Sequence, residues 1–553
     1  MKHQLAGAYH FETSRKNEIW LTQPMGGGQV LELTWGEAMD QARRMAAYLK
    51  TLDLPAQSQI ALFSKNSAWW IISDLAIWMA GHVSVPIYPT LNAETIRYII
   101  EHSEAKAIFI GKLDGYEAMA PGIPDGLPRI TTPLCPEGIE GATVWDDVMT
   151  DHEPLEGQTE RDPGELATIV YTSGSTGKPK GVMHSFGTMT ASGSGILRSI
   201  GGVDANDRML SYLPLAHVYE RVLVETTTLL LGFKVYFAES LETFLADLQR
   251  ARPTIFASVP RLWSKFQMGV FKKMPPSKLN LYLKIPILNG IVRKKVLTGL
   301  GLDSVRNAAS ASAPIPAALI KWYNDLGLEL LEGYGMSENM GYSHATRPGR
   351  SQPGYVGQPY DDVEHKLSEE GEILVKSPGT MLGYFKNEEA TSATMTEDGF
   401  LKTGDRGLIE SDGTLKITGR VKELFKTSKG KYVAPAPIEN KLMNHPSVEQ
   451  AYVGGNGQPQ PYGVVMLSED GRASLTNGGK ADLEESLKAH LAEVNRGLDH
   501  HEHLKFIAVE ANEWTIENGK LTPTMKLKRA KIEDAYSPKE EEWYGSGAKV
   551  VFG

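Results

Sequence analysis

Short apolar runs of strand length recur along the chain and are separated by stretches with helical periodicity. The strand-like runs are IALFS, AKAIFIG, LATIVYT, KVYFA and TIFASV. Amphipathic helical patterns such as residues 34–52 and 241–252 lie between them. Because strands that alternate with helices need crossover connections, this order predicts an α/β fold with largely parallel sheets.

The pattern changes after Phe400. The following segment is rich in Gly and Lys and has the short alternations of small hairpins, and polar helical stretches come after it. We therefore predict two domains. Residues 1–419 form a large N-terminal body of packed sheets and helices, and residues 420–553 form a small α+β domain.

The most apolar stretch, residues 69–88, is long enough to suggest a membrane span. Asp74, His82 and Pro86 interrupt it, however, whereas a bilayer span needs about 20 largely uncharged residues. We predict a buried helix that leads into a short strand, VSVPIY.

Composition excludes several classes of protein. The chain has 41% hydrophobic and 22% charged residues, which is typical of a globular protein and unlike a mainly disordered one. With 57 basic and 67 acidic residues its net charge is −10, which argues against general nucleic-acid binding. The only cysteine, Cys135, cannot form an intrachain disulfide, so we predict a cytoplasmic location.

A loop rich in Gly, Ser and Thr, TSGSTGKPKG at residues 172–181, directly follows one predicted strand. Its glycines let backbone amides approach an anion, while hydroxyl and lysine side chains add further donors. It is not a Walker A loop, because Thr172 and Pro179 replace the first Gly and the Mg²⁺-binding hydroxyl residue. The candidate polyphosphate-binding residues are Thr172, Ser173, Gly174, Ser175, Thr176, Gly177, Lys178 and Lys180.

This loop closely resembles the signature of the adenylate-forming, AMP-binding superfamily, which includes acyl-CoA synthetases and luciferases. Further motifs follow in the superfamily's order: SYLPLAHVYER, LEGYGMSE, TGDRG, GRVKELFKTSKGKYV and ENGKLTPTMKLKR. The first of them is similar to a block of long-chain acyl-CoA synthetases. One departure follows GVM, where the superfamily has Thr or Ser and then His but this chain has His184, Ser185 and Phe186.

The resemblance implies a nucleotide site. Tyr334 would stack on adenine, Asp405 and Arg420 would contact the ribose, and Glu338 would contribute to Mg²⁺ binding. The residues implied to bind ATP or AMP, besides those of the loop, are Gly333, Tyr334, Gly335, Met336, Ser337, Asp405 and Arg420.

The resemblance also implies a mobile C-terminal domain. Lys422 would be the hinge, and Lys526 would be the catalytic lysine that bridges the attacking carboxylate and the α-phosphate. His217 would orient groups between the acyl chain and the nucleotide. Lys426 and Lys431 would face the active site or CoA after rotation, although a basic loop can equally be solvated.

The implied reaction has two steps, and the motifs favour a long-chain fatty acid as substrate. The fatty acid and ATP, with Mg²⁺, give acyl-AMP and pyrophosphate, and CoA then takes the acyl group. Two alternatives stay open: transfer to a carrier protein, and a non-catalytic acyl or nucleotide binder. Chain-length preference and oligomeric state do not follow from the sequence.

Residues 248–302 contain no acidic residue. Aromatic and aliphatic side chains are interleaved with the basic ones, so the segment is amphipathic. It could form a cationic face near nucleotide or CoA phosphates, or a patch that draws the protein to an anionic membrane at the inner surface. The basic residues are Arg250, Arg252, Arg261, Lys265, Lys272, Lys273, Lys278, Lys284, Arg293, Lys294 and Lys295.

Overall fold

The structure is a computed structural model that describes residues 3–172, 178–522 and 525–552. Within these residues the largest sheet has eight strands. Six neighbouring strands pair in parallel, and each of the two strands at one edge pairs antiparallel with its inner neighbour. In spatial order the strands are Gly383–Tyr384, Lys180–Ser185, Leu166–Thr172, Val83–Ile87, Gln59–Phe63, Ala107–Ile110, Arg129–Thr131 and Ala142–Val144.

Three smaller sheets complete the N-terminal body in the described part of the chain. A mixed five-stranded sheet has the order Ile255–Ser258, Asn307–Ser310, Leu330–Tyr334, His344–Ala345 and Gln358–Pro359. A mixed four-stranded sheet has the order Arg208–Ser211, Lys234–Phe237, Ile19–Gly26 and Gln29–Thr34. An antiparallel sheet has the order Glu364–Leu367, Glu372–Lys376, Leu401–Ile409 and Leu415–Arg420. The prediction of largely parallel sheets therefore holds for most of the eight-stranded sheet and for part of each mixed sheet, but not for the antiparallel sheet.

Helices cover these sheets. The predicted helix near residue 34 begins with a capping box, because Thr34 accepts a hydrogen bond from the amide of Glu37 while Glu37 accepts one from the amide of Thr34. The main helices of the body are Gln4–Ser14, Trp35–Thr51, Ala68–Met79, Ala93–Ser103, Trp145–Asp151, Phe186–Ile200, Phe244–Ala251, Pro260–Lys273, Pro276–Lys284, Pro286–Gly299, Ala317–Asp325 and Glu388–Thr394.

The apolar stretch at residues 69–88 lies in the core, as predicted. It forms the buried helix Ala68–Met79 and the buried strand Val83–Ile87. Among the described residues, the length and apolar character required to cross a bilayer are found in none of the helices.

The smaller C-terminal domain has its own mixed sheet, with the order Val448–Gly454, Tyr462–Leu467, Ile507–Glu510 and Val550–Phe552. A two-stranded hairpin, Phe425–Lys426 with Tyr432–Val433, lies between this sheet and the body in the sequence. The helices of the domain are Pro435–Leu442, Glu469–Thr476, Lys480–Arg496, Arg529–Tyr536 and Glu540–Gly545. The fold thus agrees with the predicted large body and smaller α+β domain.

Candidate active site

A cleft of about 3110 Å³ lies between the body and the C-terminal domain. Most of the predicted site residues that the structure describes line it, although they come from distant parts of the chain. They are Thr172, Lys180, His217, Gly333, Tyr334, Gly335, Met336, Ser337, Glu338, Asp405, Arg420, Lys422 and Lys526.

Tyr334, Asp405 and Arg420 form one hydrogen-bonded group. The Tyr334 hydroxyl donates to Oδ2 of Asp405 at 2.7 Å, and Nε of Arg420 donates to Oδ1 at 2.9 Å. Asp405 and Arg420 are register partners on neighbouring antiparallel strands, so the sheet itself fixes their separation. Burial and the Asp405 carboxylate raise the pKa of Tyr334, which keeps its hydroxyl protonated as a donor.

The backbone of the LEGYGMSE motif passes very close to a neighbouring turn. A Cβ added at Gly335 would lie 2.5 Å from the backbone of Gly341, so this position requires glycine. The turn continues into a short 3-10 helix, where the amide of Met336 donates to the side chain of Asn339 at 2.9 Å. Gly333 and Tyr334 end the preceding strand.

His184 supports this turn, a role that the sequence did not predict. Its Nε2 lies 2.7 Å from the carbonyl oxygen of Ser337, and its Nδ1 lies 3.3 Å from the Thr188 hydroxyl. Burial lowers the pKa of His184 to about 4, so the ring is neutral and Nε2–H donates to the carbonyl. The His184 side chain therefore fixes the residue immediately before Glu338.

Tyr384 connects Glu338 with the loop at residues 172–181, which we call the phosphate loop. Its hydroxyl donates to Oε1 of Glu338 at 2.7 Å, and Nζ of Lys180 lies 4.7 Å from the centre of its ring. Glu338 is partly buried at the wall of the cleft. Tyr384 was not among the predicted residues, because no motif marked it.

The phosphate loop connects two paired strands. Thr172 ends one strand, and Lys180 lies opposite it at the start of the next. Nζ of Lys178 lies 5.1 Å from the centre of the Tyr98 ring. Ser173, Gly174, Ser175, Thr176 and Gly177 lie outside the described residues.

Lys526 extends into the cleft from the C-terminal domain. Its backbone is held by Thr522, which accepts a hydrogen bond from the Lys526 amide at 3.0 Å and donates one from its own amide at 2.8 Å. The Lys526 side chain is exposed within the cleft. The surrounding walls and the charge of Arg420 nevertheless lower the pKa of Lys526, while Asp405 and other carboxylates oppose this effect.

His217 faces the same cleft, in the LPLAH motif. Its Nδ1 accepts a hydrogen bond from the amide of Tyr219 at 3.1 Å, which requires an unprotonated Nδ1. Burial, together with the charge of Lys526, lowers the pKa of His217 to about 3. The ring is therefore neutral near pH 7.

The three lysines predicted to act during domain rotation have different positions. Lys422 lies in the short 3-10 helix Val421–Glu423 and lines the cleft. Lys426 and Lys431 lie at the small hairpin and are exposed, with Nζ of Lys426 at 4.8 Å from the centre of the Tyr432 ring. In this domain arrangement neither Lys426 nor Lys431 lines the cleft.

The side chains that line the cleft are compatible with an Mg²⁺ ion that is bound mainly by a nucleotide. In the part of the chain that the structure describes, no group of three or more His, Cys, Asp or Glu residues could hold a metal ion by itself. Mg²⁺ in nucleotide sites commonly uses one or two carboxylates and substrate phosphates. Glu338, beside Lys180 and Tyr384, matches that requirement.

Comparison with known families assigns most of the chain to two family models. The model of the AMP-binding enzyme family matches residues 15–385, and that of the AMP-binding enzyme C-terminal domain matches residues 423–547. The chain belongs to the AMP-binding enzyme family. The family's two parts thus correspond to the two walls of the cleft.

Among curated relatives of this AMP-binding enzyme, long-chain-fatty-acid–CoA ligase FadD15 of Mycobacterium tuberculosis is 30% identical, over 98% of this chain and 97% of that protein. Mouse long-chain-fatty-acid–CoA ligase 5 is also 30% identical, over 88% of this chain and 80% of its own.

Solved structures show the same fold at lower identity. The adenylation domain of a carboxylic acid reductase from Segniliparus rugosus, in complex with AMP, has a TM-score of 0.81 at 22% identity, with 99% of this chain and 94% of that chain covered. A benzoate CoA ligase from Burkholderia xenovorans has a TM-score of 0.76 at 22% identity, with 96% and 100% covered.

Proposed function

We propose that this AMP-binding enzyme activates a long-chain fatty acid with ATP to give acyl-AMP and then transfers the acyl group to CoA. The observation that carries the proposal is that Lys526 enters the same cleft as Asp405 and Glu338 from the opposite domain. The names of the relatives supply the substrate class.

In the first step the fatty acid carboxylate attacks the α-phosphorus of ATP, and pyrophosphate leaves. Tyr334 and its neighbours Gly333, Gly335, Met336 and Ser337 would hold the adenine, and Asp405 with Arg420 would bind the ribose. Lys526 would bridge the attacking carboxylate and the α-phosphate, where negative charge increases in the transition state.

The phosphate loop would bind the pyrophosphate portion through the hydroxyl, amide and ammonium donors of Thr172, residues 173–177, Lys178 and Lys180. Glu338 would hold Mg²⁺ together with phosphate oxygens, and bound Mg²⁺ would offset the phosphate charge. Neutral His217 cannot accept a proton readily at neutral pH, so we assign it an orienting role between acyl chain and nucleotide.

In the second step the C-terminal domain beyond Lys422 would rotate about this residue, withdraw Lys526 and expose a route for CoA. The thiolate then attacks the acyl carbonyl, and AMP leaves. Lys426 and Lys431 lie outside the cleft in the present arrangement, which supports a role for them only after rotation. Moving the domain lets one cleft serve two transition states with different charge distributions.

The direct test is to incubate the purified protein with ATP, Mg²⁺, CoA and palmitate and to measure AMP and acyl-CoA. Both products are expected, and free CoA should be a better acceptor than a carrier-protein thiol. A lack of AMP with fatty acids of every length would contradict the assignment. Acyl transfer to the carrier protein alone would favour the first alternative, and nucleotide binding without turnover the second.

Lys526→Ala separates the two steps. We expect a loss of adenylation of at least about a hundredfold, as for other strong electrostatic contacts to a transition state, with transfer from supplied acyl-AMP to CoA retained. Lys528→Ala is the matched control, because Lys528 lies two residues away on the same segment. Equal loss of both steps in Lys526→Ala would assign the residue a structural role instead.

We also propose that part of the acid-free segment, residues 248–302, binds reversibly to an anionic membrane surface. The helices Pro276–Lys284 and Pro286–Gly299 carry exposed apolar side chains, with Ile287 82% and Ile291 60% exposed, among exposed lysines. Apart from Pro276, these helices do not line the cleft, which favours the membrane interpretation over a phosphate-facing one for this part. Apolar side chains among cations suit the interface of an anionic bilayer.

Sedimentation with vesicles tests this association. Binding is expected to vesicles that contain anionic lipid and to fall when NaCl is raised or when Ile287 and Ile291 are both changed to Ser. Leu408→Ser is the matched control, because Leu408 is 54% exposed on another surface. Equal binding by the double variant and the wild type would exclude these helices as the membrane contact.

A further inference from the structure

The position of Lys526 in the cleft depends on contacts made elsewhere in the C-terminal domain. Arg529, on the same segment, forms ion pairs with Glu439 and with Glu423, which directly follows Lys422. Lys526 is therefore fixed within its own domain. What places it near Asp405 is the contact of that whole domain with the body.

Beyond Lys422, the ion pairs between the C-terminal domain and the body come from the acid-free segment, residues 248–302. In the described residues, the pairs that join the body to residues beyond Lys422 involve Arg261 and Lys272, both on the helix Pro260–Lys273. The partners of Arg261 are Glu449 and Glu513, and the partner of Lys272 is Asp470. A segment without acidic residues thus faces carboxylates of the other domain.

The pair between Arg261 and Glu449 is well placed and mostly shielded from solvent. Nε of Arg261 donates to Oε1 of Glu449 at 2.8 Å, and Nη2 bonds to the same oxygen. Their side chains are 15% and 9% exposed. Glu513 lies 3.5 Å from Nη2 of Arg261 and is itself approached by Arg472 at 3.7 Å.

The same guanidinium group is not fully paired. Nη1 of Arg261 is buried and has no hydrogen-bond partner among the residues that the structure describes. A buried donor without a partner costs free energy, which reduces the net stability of the contact. Such a contact can favour one domain arrangement and still separate during each turnover.

The pair between Lys272 and Asp470 differs from it. The two side chains are 54% and 57% exposed, although their charged atoms lie 3.0 Å apart. Exposed ion pairs contribute little because water and salt screen them. Shielding therefore assigns the orienting effect to Arg261 rather than to Lys272.

We infer that Arg261, through Glu449, is a positioning residue that holds the C-terminal domain in the arrangement in which Lys526 enters the cleft. This inference rests on the proposed two-step function, because it assigns the ion pair to the first step and its separation to the second. Arg261 would then raise the rate of adenylation without contacting the reacting atoms.

The experiment measures the two half-reactions separately in Arg261→Ala and Glu449→Gln. We expect ATP–pyrophosphate exchange with palmitate to fall by roughly tenfold, in line with coupling energies of directly contacting groups. Transfer of acyl groups from supplied acyl-AMP to CoA should stay within about twofold or increase. The exchanged pair, Arg261→Glu with Glu449→Arg, should recover most of the lost exchange activity.

Two controls are available on the same helix. Lys273→Ala removes an exposed charge that makes no ion pair among the described residues, and Lys272→Ala removes the exposed pair. Both should retain exchange within about twofold. An equal decrease of both half-reactions in Arg261→Ala, or no decrease in either, would overturn the inference.

A distance measurement separates this inference from the proposed function. With Cys135 changed to Ser, spin labels at cysteines introduced at Lys295 and Glu493 report the separation of the two domains without any substrate. The distance distribution should shift or broaden in Arg261→Ala and stay unchanged in Lys273→Ala. A shift in a protein that adenylates no fatty acid would retain the positioning role and reject the enzyme assignment, whereas an unchanged distribution in Arg261→Ala would reject the positioning role.

Discussion

Arg221 and Arg261 each form ion pairs with two carboxylates, and the difference between their surroundings is instructive. Arg221 is completely buried in the body, where Nε lies 3.0 Å from Oε2 of Glu225 and Nη2 pairs with Asp74. Arg261 lies between domains and keeps some exposure. Arg221 joins segments within one core that stay packed together. Arg261 joins two domains that we propose to separate in each catalytic cycle.

The Arg221 guanidinium group is also more completely hydrogen bonded than that of Arg261. Nη1 donates to the Thr168 hydroxyl at 2.8 Å, and Nη2 donates to the Ser84 hydroxyl at 2.9 Å. One oxygen each of Asp74 and Glu225 is buried with no hydrogen-bond partner among the described residues. Burial, followed by repulsion from Asp74, raises the pKa of Glu225 well above its usual value. Burial and the neighbouring Asp74 thus favour the protonated form of Glu225 in this cluster.

The largest effect is expected when Arg221 is removed. Arg221→Met leaves the Asp74 charge buried and unpaired, which should lower the free energy of unfolding by about 3–5 kcal/mol. The urea midpoint, followed by circular dichroism, measures the loss. A triple variant that also carries Asp74→Leu and Glu225→Leu should recover much of it, because no charge then remains in the core. A full-sized loss in the triple variant would show that packing, rather than charge, explains the effect.

The second effect is a dependence of stability on pH. Because the pKa of Glu225 is higher in the folded than in the unfolded state, its contribution is fully present below about pH 4.5 and decreases as the pH rises toward the folded value. Raising the pH should therefore destabilise the wild type relative to Glu225→Gln, by at most about 1.4 kcal/mol per pH unit. Urea titrations of both proteins between pH 5 and 9 measure it, and parallel curves would contradict a raised pKa of Glu225.

The smallest effect concerns the exposed pair between Lys272 and Asp470. Lys272→Ala, Asp470→Asn and the double variant should each change the free energy of unfolding by less than about 0.5 kcal/mol at low salt and show no coupling in 1 M NaCl. A larger coupling would mean that Lys272 shares the positioning role of Arg261, and the contrast between shielded and exposed pairs would then fail.

Local sequence predicted much of the fold. The run LATIVYT coincides with the strand Leu166–Thr172, and the apolar stretch after Ser67 forms the predicted helix and strand. Such patterns depend on side-chain periodicity within a few residues, which the sequence displays directly. The antiparallel edges of the sheets were not predicted, because short strands such as Gly383–Tyr384 pair with distant segments and have little pattern of their own.

The candidate site likewise contains some residues that the sequence predicted and others that it did not. The motifs marked Tyr334, Asp405 and Arg420, and the structure brings them together in one group. His184 and Tyr384 were missed, because each acts through one hydrogen bond to a residue far away in the sequence. His184 does have a signal in the sequence, since it directly follows GVM, but from the sequence alone this position is only a departure from the superfamily pattern.

The sequence by itself determined the α/β architecture and the ordered motifs that assign the chain to the AMP-binding enzymes, and it predicted the phosphate loop. These features depend on local periodicity and on residue types at short spacing. Only the tertiary structure decided which charges meet. Arg221 pairs with Asp74, which is 147 residues away in the sequence, and Arg261 pairs with Glu449, which is 188 residues away. The strength of an ion pair is set by its distance and its shielding from water, and both arise only when the chain has folded.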